Sequence, residues 1–232
     1  MEPEPRTRTR NSEPGTQNIH VHVQAIGLHA ILDVDVAAAH GWEPADLAKA
    51  YLDGGAPLIQ VRAKQLPSGA FLALCDTVVK AAESYTVAVI VNDRVDLAAM
   101  SGAAGVHVGQ EDVPPAAARR ILGARAVIGY STHTTAQIEA AAREPISYLA
   151  IGPVFGSRTK DTGYESVGLE MVREASRLAR GLPVVAIGGI TLESTPSVVA
   201  AGAAGVAVIG DLLAGGTPQA RVAAYQRALS RV

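Results

Sequence analysis

From about residue 28 onward, short apolar runs alternate with longer amphipathic stretches. The runs are Leu28–Leu32, Leu58–Arg62, Val87–Asn92, Gly105–Val108, Ala126–Ser131, Tyr148–Gly152, Val184–Ile187 and Gly205–Ile209. Each is too short for a helix, rich in Val and Ile, and bounded by Gly, Pro or polar residues, so each predicts a strand. Residues 67–84, 114–122, 134–143 and 168–180 carry helical patterns between them, with Thr134 and Thr135 as candidate N-caps and Gly181 as a candidate C′ residue. Strands separated by helices pair in parallel through right-handed crossovers, and parallel strands are buried on both faces. Eight such units predict an α/β chain with a single-domain (β/α)8 TIM barrel over residues 26–232. A doubly wound open sheet would need a glycine-rich turn after its first strand, whereas this chain runs Leu32-Asp33-Val34-Asp35 there.

An internal echo supports the barrel. The segments at 102–108 and 202–208 share the pattern G-A-A-G-V-x-V, and each closes one half of the eight-unit series. A helix-to-strand turn favours glycine and small residues at such places, so the echo speaks for architecture and not for function.

Length and composition agree with this reading. The chain has 232 residues, against roughly 250 for a typical barrel of this kind. Hydrophobic residues make up 48% and aromatics only 4%, which suits a layered interior of small and β-branched side chains. The net charge of −2 argues against nucleic acid or an anionic membrane as the main partner. An anionic ligand must then be gripped by a local cluster of cations. The one cysteine, Cys75, excludes an intramolecular disulfide and any multi-cysteine metal site. It lies in a helical pattern and reads as a buried structural thiol, with the cytoplasm as the expected compartment. The apolar run 198–210 is too short to span a membrane and is broken by Gly202 and Gly205. Residues 1–18 lack the apolar core of a secretory signal, and residues 1–25 are expected to be a disordered extension.

Barrels of this type build their sites at the C-terminal strand ends, and polar residues gather there. Strand two ends in Gln60-Val-Arg62-Ala-Lys64, which would put Gln60, Arg62 and Lys64 on one face if the extended form persists. Strand three ends in Asn92-Asp93-Arg94, strand four leads to Gly109-Gln110-Glu111-Asp112, and strand five ends in Ser131-Thr132-His133. Strand six opens into a loop carrying Gly156, Ser157, Thr159 and Lys160, which resembles a lid. Gly188-Gly189 and Ile209-Gly210 follow strands seven and eight, where barrels commonly hold a phosphate on backbone N–H groups. Asp93 and Asp112 follow adjacent strands, so they could converge on one hard cation, although loop aspartates are more often helix caps. Arg62, Lys64 and Lys160 raise the metal reading, because cations around two carboxylates are the parts expected near a diphosphate. His107, inside strand four, reads as a hydrogen-bonded core histidine. His133 stays open between core and site.

The ordered set Gln60-x-Arg62-x-Lys64, Val91-Asn-Asp-Arg94, 105–112 (GVHVGQED), Ser131-Thr-His-Thr134, Gly152-Pro-Val-Phe155, Thr159-Lys160 and Ala186-Ile-Gly-Gly-Ile190 resembles the thiamine-phosphate synthase family. That resemblance implies condensation of 4-amino-2-methyl-5-hydroxymethylpyrimidine diphosphate with 4-methyl-5-(2-hydroxyethyl)thiazole phosphate, releasing thiamine monophosphate and pyrophosphate. It implies Mg²⁺ on Asp93 and Asp112. Gln60, Arg62, Lys64, Asn92 and Lys160 would contact the pyrimidine diphosphate, with Ser131 at the reacting pyrimidine or diphosphate. Arg62, Lys64, Lys160 and Ser131 would carry catalysis, while Ser157, Thr159, Gly188, Gly189, Ile209 and Gly210 would serve the thiazole phosphate side. A homodimer is a family-level expectation. Three departures stand out: Ser157 where threonine is usual, Gly210 where serine is common, and His29 in place of the usual aromatic of the first strand. The rivals are a thiazole tautomerase of the same superfamily, a non-catalytic barrel sensing thiamine phosphates, and another phosphate-binding barrel. The intact N-D and G-Q-x-D motifs favour the synthase over all three.

Overall fold

Eight strands pair in parallel with their chain neighbours, and the last returns to the first: β1 (Gly27–Asp33), β2 (Leu58–Arg62), β3 (Ala88–Asn92), β4 (Gly105–Val108), β5 (Val127–Thr132), β6 (Tyr148–Ile151), β7 (Val184–Ile187) and β8 (Gly205–Val208). The coordinates are a computed structural model that describes residues 27–85, 87–156 and 165–230. The expected disordered extension, 1–25, lies outside the described residues. Among those described, helices α1 (Val34–Ala39), α2 (Pro44–Asp53), α3 (Ser68–Ala82), α4 (Val95–Ser101), α5 (Pro115–Leu122), α6 (Thr135–Ala141), α7 (Gly168–Leu178), α8 (Thr195–Ala200) and α9 (Pro218–Leu229) cover the outside. The chain is therefore a closed (β/α)8 barrel, as the hydrophobic periodicity predicts.

Alternation along each strand divides the core in two. Outward residues such as Leu28, Ile59, Val91, Val106, Ile128 and Leu149 pack beneath the helices in one cluster. Inward residues, including Ile31, Leu58, Ile90, Val127, Tyr148 and Val185, form a second cluster that plugs the barrel. The same inward phase carries Gln60, Arg62, Asn92, His107 and Ser131 to the C-terminal ends of β2 to β5. Because all strands run the same way, these polar residues meet at one mouth. Register sets Gly129 between His107 and Tyr148. A Cβ there would fall 2.4 Å from His107 Nδ1 and 2.2 Å from the Tyr148 hydroxyl oxygen, so only glycine leaves room for both rings.

Local signals fare well, with two adjustments. Thr134 caps α6 by accepting a hydrogen bond from the Gln137 N–H, and Thr135 is the first helical residue. The 67–84 pattern resolves into α3 followed by a 3-10 turn at Glu83–Tyr85. After α7, Arg180 (φ 53°) takes the first left-handed step and Gly181 (φ 88°) the second. The helix ends early, and the exposed Arg180 occupies the position expected for glycine. Cys75 is buried in α3, and burial pushes its thiol up to about 12, which suits packing and not nucleophilic chemistry. Among the described residues, no helix is long and apolar enough to cross a membrane.

Candidate active site

The mouth of the barrel opens into a cavity of about 580 Å³. One wall is polar. Gln60, Arg62 and Asn92 line it from β2 and β3, and His107 and Ser131 from β4 and β5. Gln60 and Asn92 are nearly buried, so their amides point into the cavity instead of bulk water. The opposite wall is made by Gly188, Gly189, Ile209 and Gly210, at the ends of β7 and β8. Apolar side chains of Ile31, Ile187 and Ala207 fill the space between. Eight of the residues that the sequence assigns to the site (all of those just named except His107 and the apolar three) thus share one chamber.

Arg62 is braced from behind. Its Nη1 donates to Asp33 Oδ2, and both side chains are largely buried. Asp33 also accepts from the Asp35 and Val36 N–H groups, both at 3.1 Å, which makes it the N-cap of α1. Arg62 Nε is buried and has no hydrogen-bond partner among the described residues. A buried donor in that condition costs about 1–3 kcal/mol, a deficit that an anion in the cavity would relieve.

Lys64, Asp93 and Asp112 form a second cluster beside the chamber, outside its walls. Strand β2 ends at Arg62, so the extended phase does not carry Lys64 inward; its ammonium instead donates to Asp93 Oδ2. Asp93 sits at φ 63°, which reverses the chain immediately after β3. Burial and the neighbouring Asp93 carboxylate push the Asp112 carboxyl up, against the opposing pull of the Gly109 N–H at 2.7 Å. A carboxylate whose proton affinity is raised by a neighbouring carboxylate marks a ready place for a hard cation. Among the described residues, no group of three or more His, Cys, Asp or Glu side chains could hold a metal. Two carboxylates alone fit magnesium, which keeps water and ligand oxygens in its shell. The Gln110 amide donates to the Ser131 carbonyl at 2.6 Å and ties this loop to the polar wall.

The glycine wall is set by close packing. Gly188 (φ 99°) would place a Cβ 2.5 Å from Pro153 Cα, and the loop after β6 is stitched to it by Phe155 N–H donating to the Gly188 carbonyl at 2.9 Å. Packing by itself thus demands the glycine, and its place on the cavity wall adds the functional reading. Gly188→Ala is expected to cost about 1–3 kcal/mol, lowering the thermal midpoint by roughly 2–4 °C per kcal/mol. A midpoint equal to wild type would show that the two loops part without cost.

Asp211 follows Gly210 at the polar end of strand eight, where the sequence gives it no role of its own. It lines the cavity, yet Arg221 takes it at 2.8 Å, the Tyr225 hydroxyl donates to it, and it accepts the Leu192 N–H at 3.1 Å. Its work is to lock the β7 loop to the end of β8. His133 lines the chamber, with Nδ1 2.6 Å from the Gly152 carbonyl. Tyr148, Asp33 and Asp211 carry no local motif; only tertiary register reveals them. Ser157, Thr159 and Lys160 lie outside the described residues.

A family model described as thiamine monophosphate synthase matches residues 32–212. The thiamine-phosphate synthase of Roseiflexus castenholzii is 42% identical over 175 residues, covering 75% of this chain and 76% of its own. That of Anaeromyxobacter dehalogenans is 42% identical over 188 residues, covering 81% and 84%. Among solved structures, a thiamine phosphate pyrophosphorylase from Pyrococcus furiosus superposes with a TM-score of 0.80 at 27% identity, over 90% of this chain and 98% of that one.

Proposed function

The chain belongs to the thiamine monophosphate synthase family, and on that premise we propose that it joins the pyrimidine diphosphate to the thiazole phosphate, giving thiamine monophosphate and pyrophosphate. It is on this reading a transferase of the pyrimidinylmethyl group. The observation that carries the reading is one chamber with a cationic, amide-rich wall facing a glycine wall, and a Lys64–Asp93–Asp112 cluster at its edge.

The reaction breaks the bond between the pyrimidine methylene carbon and the diphosphate oxygen, and the electron pair leaves with the diphosphate. The thiazole nitrogen then supplies the pair for the new C–N bond. No enzymic nucleophile is required, and Cys75 is far too poor a thiolate to be one. Charge grows on the departing oxygens, so Arg62 and Lys64 (with Lys160 from the loop after β6) grip the transition state harder than the ground state. Mg²⁺ held by Asp93 and Asp112 would add positive charge at the same oxygens. Gln60 and Asn92 orient the pyrimidine and its diphosphate, and Ser131 reaches the reacting end. Backbone N–H groups around Gly188, Gly189, Ile209 and Gly210, with Ser157 and Thr159, hold the thiazole phosphate. The apolar surface from Ile31, Ile187 and Ala207 keeps water from trapping the carbon cation before the thiazole does.

A tautomerase of the same superfamily would use the glycine wall but has no work for the Lys64–Asp93–Asp112 cluster, and a sensor would not need charge placed where it develops. The reading carries with it a cytoplasmic location and, as in the family, a homodimer. Its test is a pyrophosphate-release assay. Pyrophosphate should appear only when both substrates and Mg²⁺ are present, and excess EDTA should abolish it. Absence of product at saturating substrates and Mg²⁺ would falsify the assignment, and release from the pyrimidine diphosphate alone would make the protein a hydrolase.

A further inference from the structure

Beneath the polar wall, three strands contribute a buried chain of hydrogen bonds. His107 of β4 stands 2.9 Å from the Tyr148 hydroxyl through Nδ1 and 2.8 Å from Ser131 Oγ through Nε2. The two rings stack with centroids 5.6 Å apart, and His29 packs edge-on against Tyr148 at 4.8 Å. Tyr148 is fully buried, His107 nearly so, and Ser131 lines the cavity. Gly129 keeps the gap between them open, as described above.

Proton counting decides which way these bonds run. Burial pushes the Tyr148 phenol far above its ordinary range, so it keeps its proton. Among the described residues, its hydroxyl finds its hydrogen-bond partner in His107 Nδ1. A buried hydroxyl that failed to donate would be left unsatisfied, so Tyr148 donates and Nδ1 accepts. A neutral imidazole with a bare Nδ1 carries its proton on Nε2. That N–H then donates to Ser131 Oγ, and the serine's own O–H is turned toward the cavity. In the opposite orientation Nδ1–H would donate to the phenol oxygen, and the buried phenol proton would find no acceptor among the described residues.

We infer that Tyr148 and His107 form a relay that fixes the tautomer of the histidine and thereby makes Ser131 a hydrogen-bond donor to whatever occupies the chamber. Resting on the synthase reading, the acceptor is an oxygen of the departing diphosphate, whose charge grows as the carbon–oxygen bond breaks. Tyr148 and His107 are positioning residues that act through Ser131.

Two measurements test this. In wild-type protein labelled with ¹⁵N-histidine, the His107 resonances (identified by their loss in His107→Gln) should show a bare Nδ1 and a protonated Nε2. Finding the proton on Nδ1 overturns the relay, whether or not the protein has synthase activity. Kinetically, Tyr148→Phe should lower kcat by about tenfold or more, part of what removing an oxyanion donor costs, with both KM values within about twofold. In a Ser131→Ala background the same change should alter kcat by less than about twofold, because residues acting through one another are not additive. An equal loss in both backgrounds would show that Tyr148 only supports the fold. Should no thiamine monophosphate form under any condition, the functional reading falls while the spectrum still decides the relay.

Discussion

Asp93→Asn should lower kcat by about two to three orders of magnitude, with the thermal midpoint close to wild type. The choice of asparagine matters. Asp93 occupies the left-handed region at φ 63°, which Asn and Asp tolerate far better than Ala. An alanine there would mix backbone strain with lost chemistry, whereas asparagine keeps shape and conformation and removes only the charge. The variant also deprives Lys64 of its partner and relieves Asp112 of the neighbour that raises its proton affinity. If the pair holds Mg²⁺, the Mg²⁺ concentration for half-maximal pyrophosphate release should rise steeply. Titrating Mg²⁺ in the two-substrate assay reads that shift, and thermal unfolding checks the fold. Wild-type turnover with an unaltered Mg²⁺ requirement would reduce Asp93 to a counter-ion for Lys64.

Strands were the most legible part of the chain, because burial on both faces writes each one as a short run dominated by apolar residues. The start of α6 was equally readable, since a threonine before an amphipathic stretch has one good use. The turn after α7 was not, because two left-handed residues follow one another and glycine satisfies only the second. Within the site, residues at strand ends were legible wherever strand phase points inward: Gln60, Arg62, Asn92 and Ser131 sit where period two puts them. Lys64 departs because β2 stops two residues short of it, and strand length is a tertiary outcome. His107 read as a core histidine and is one, but it also lines the chamber and touches Ser131. Its partner Tyr148 is separated from it by 41 residues and announced by nothing local. That meeting depends on barrel shear, which sets β4, β5 and β6 in register and which no single strand encodes. Asp33 and Asp211 share this property: each braces a functional element from behind, so its value lies in a contact and not in a motif.

Arg62→Met should hurt both stability and activity, and the two losses should separate in a second variant. Asp33 is almost wholly buried, so losing Arg62 strands its charge. Breaking a buried pair from one side costs about 3–5 kcal/mol. The Asp35 and Val36 N–H groups still reach Asp33, which favours the lower end of that range. A fall in thermal midpoint of roughly 2–4 °C per kcal/mol follows for a domain of this size. Adding Asp33→Asn removes the stranded charge while keeping a side chain that caps α1, so the double variant should recover most of the midpoint. Turnover should not recover with it. Arg62 offers its Nε, and whatever its Asp33 bond leaves over, to an anion in the chamber, and methionine offers nothing. Loss of such a preorganised donor costs about 10²–10³ in kcat, and single and double variants should share it. Recovery of kcat/KM in step with the midpoint would mean that Arg62 serves only to neutralise Asp33, and the diphosphate would then have to be gripped from the Lys64 side.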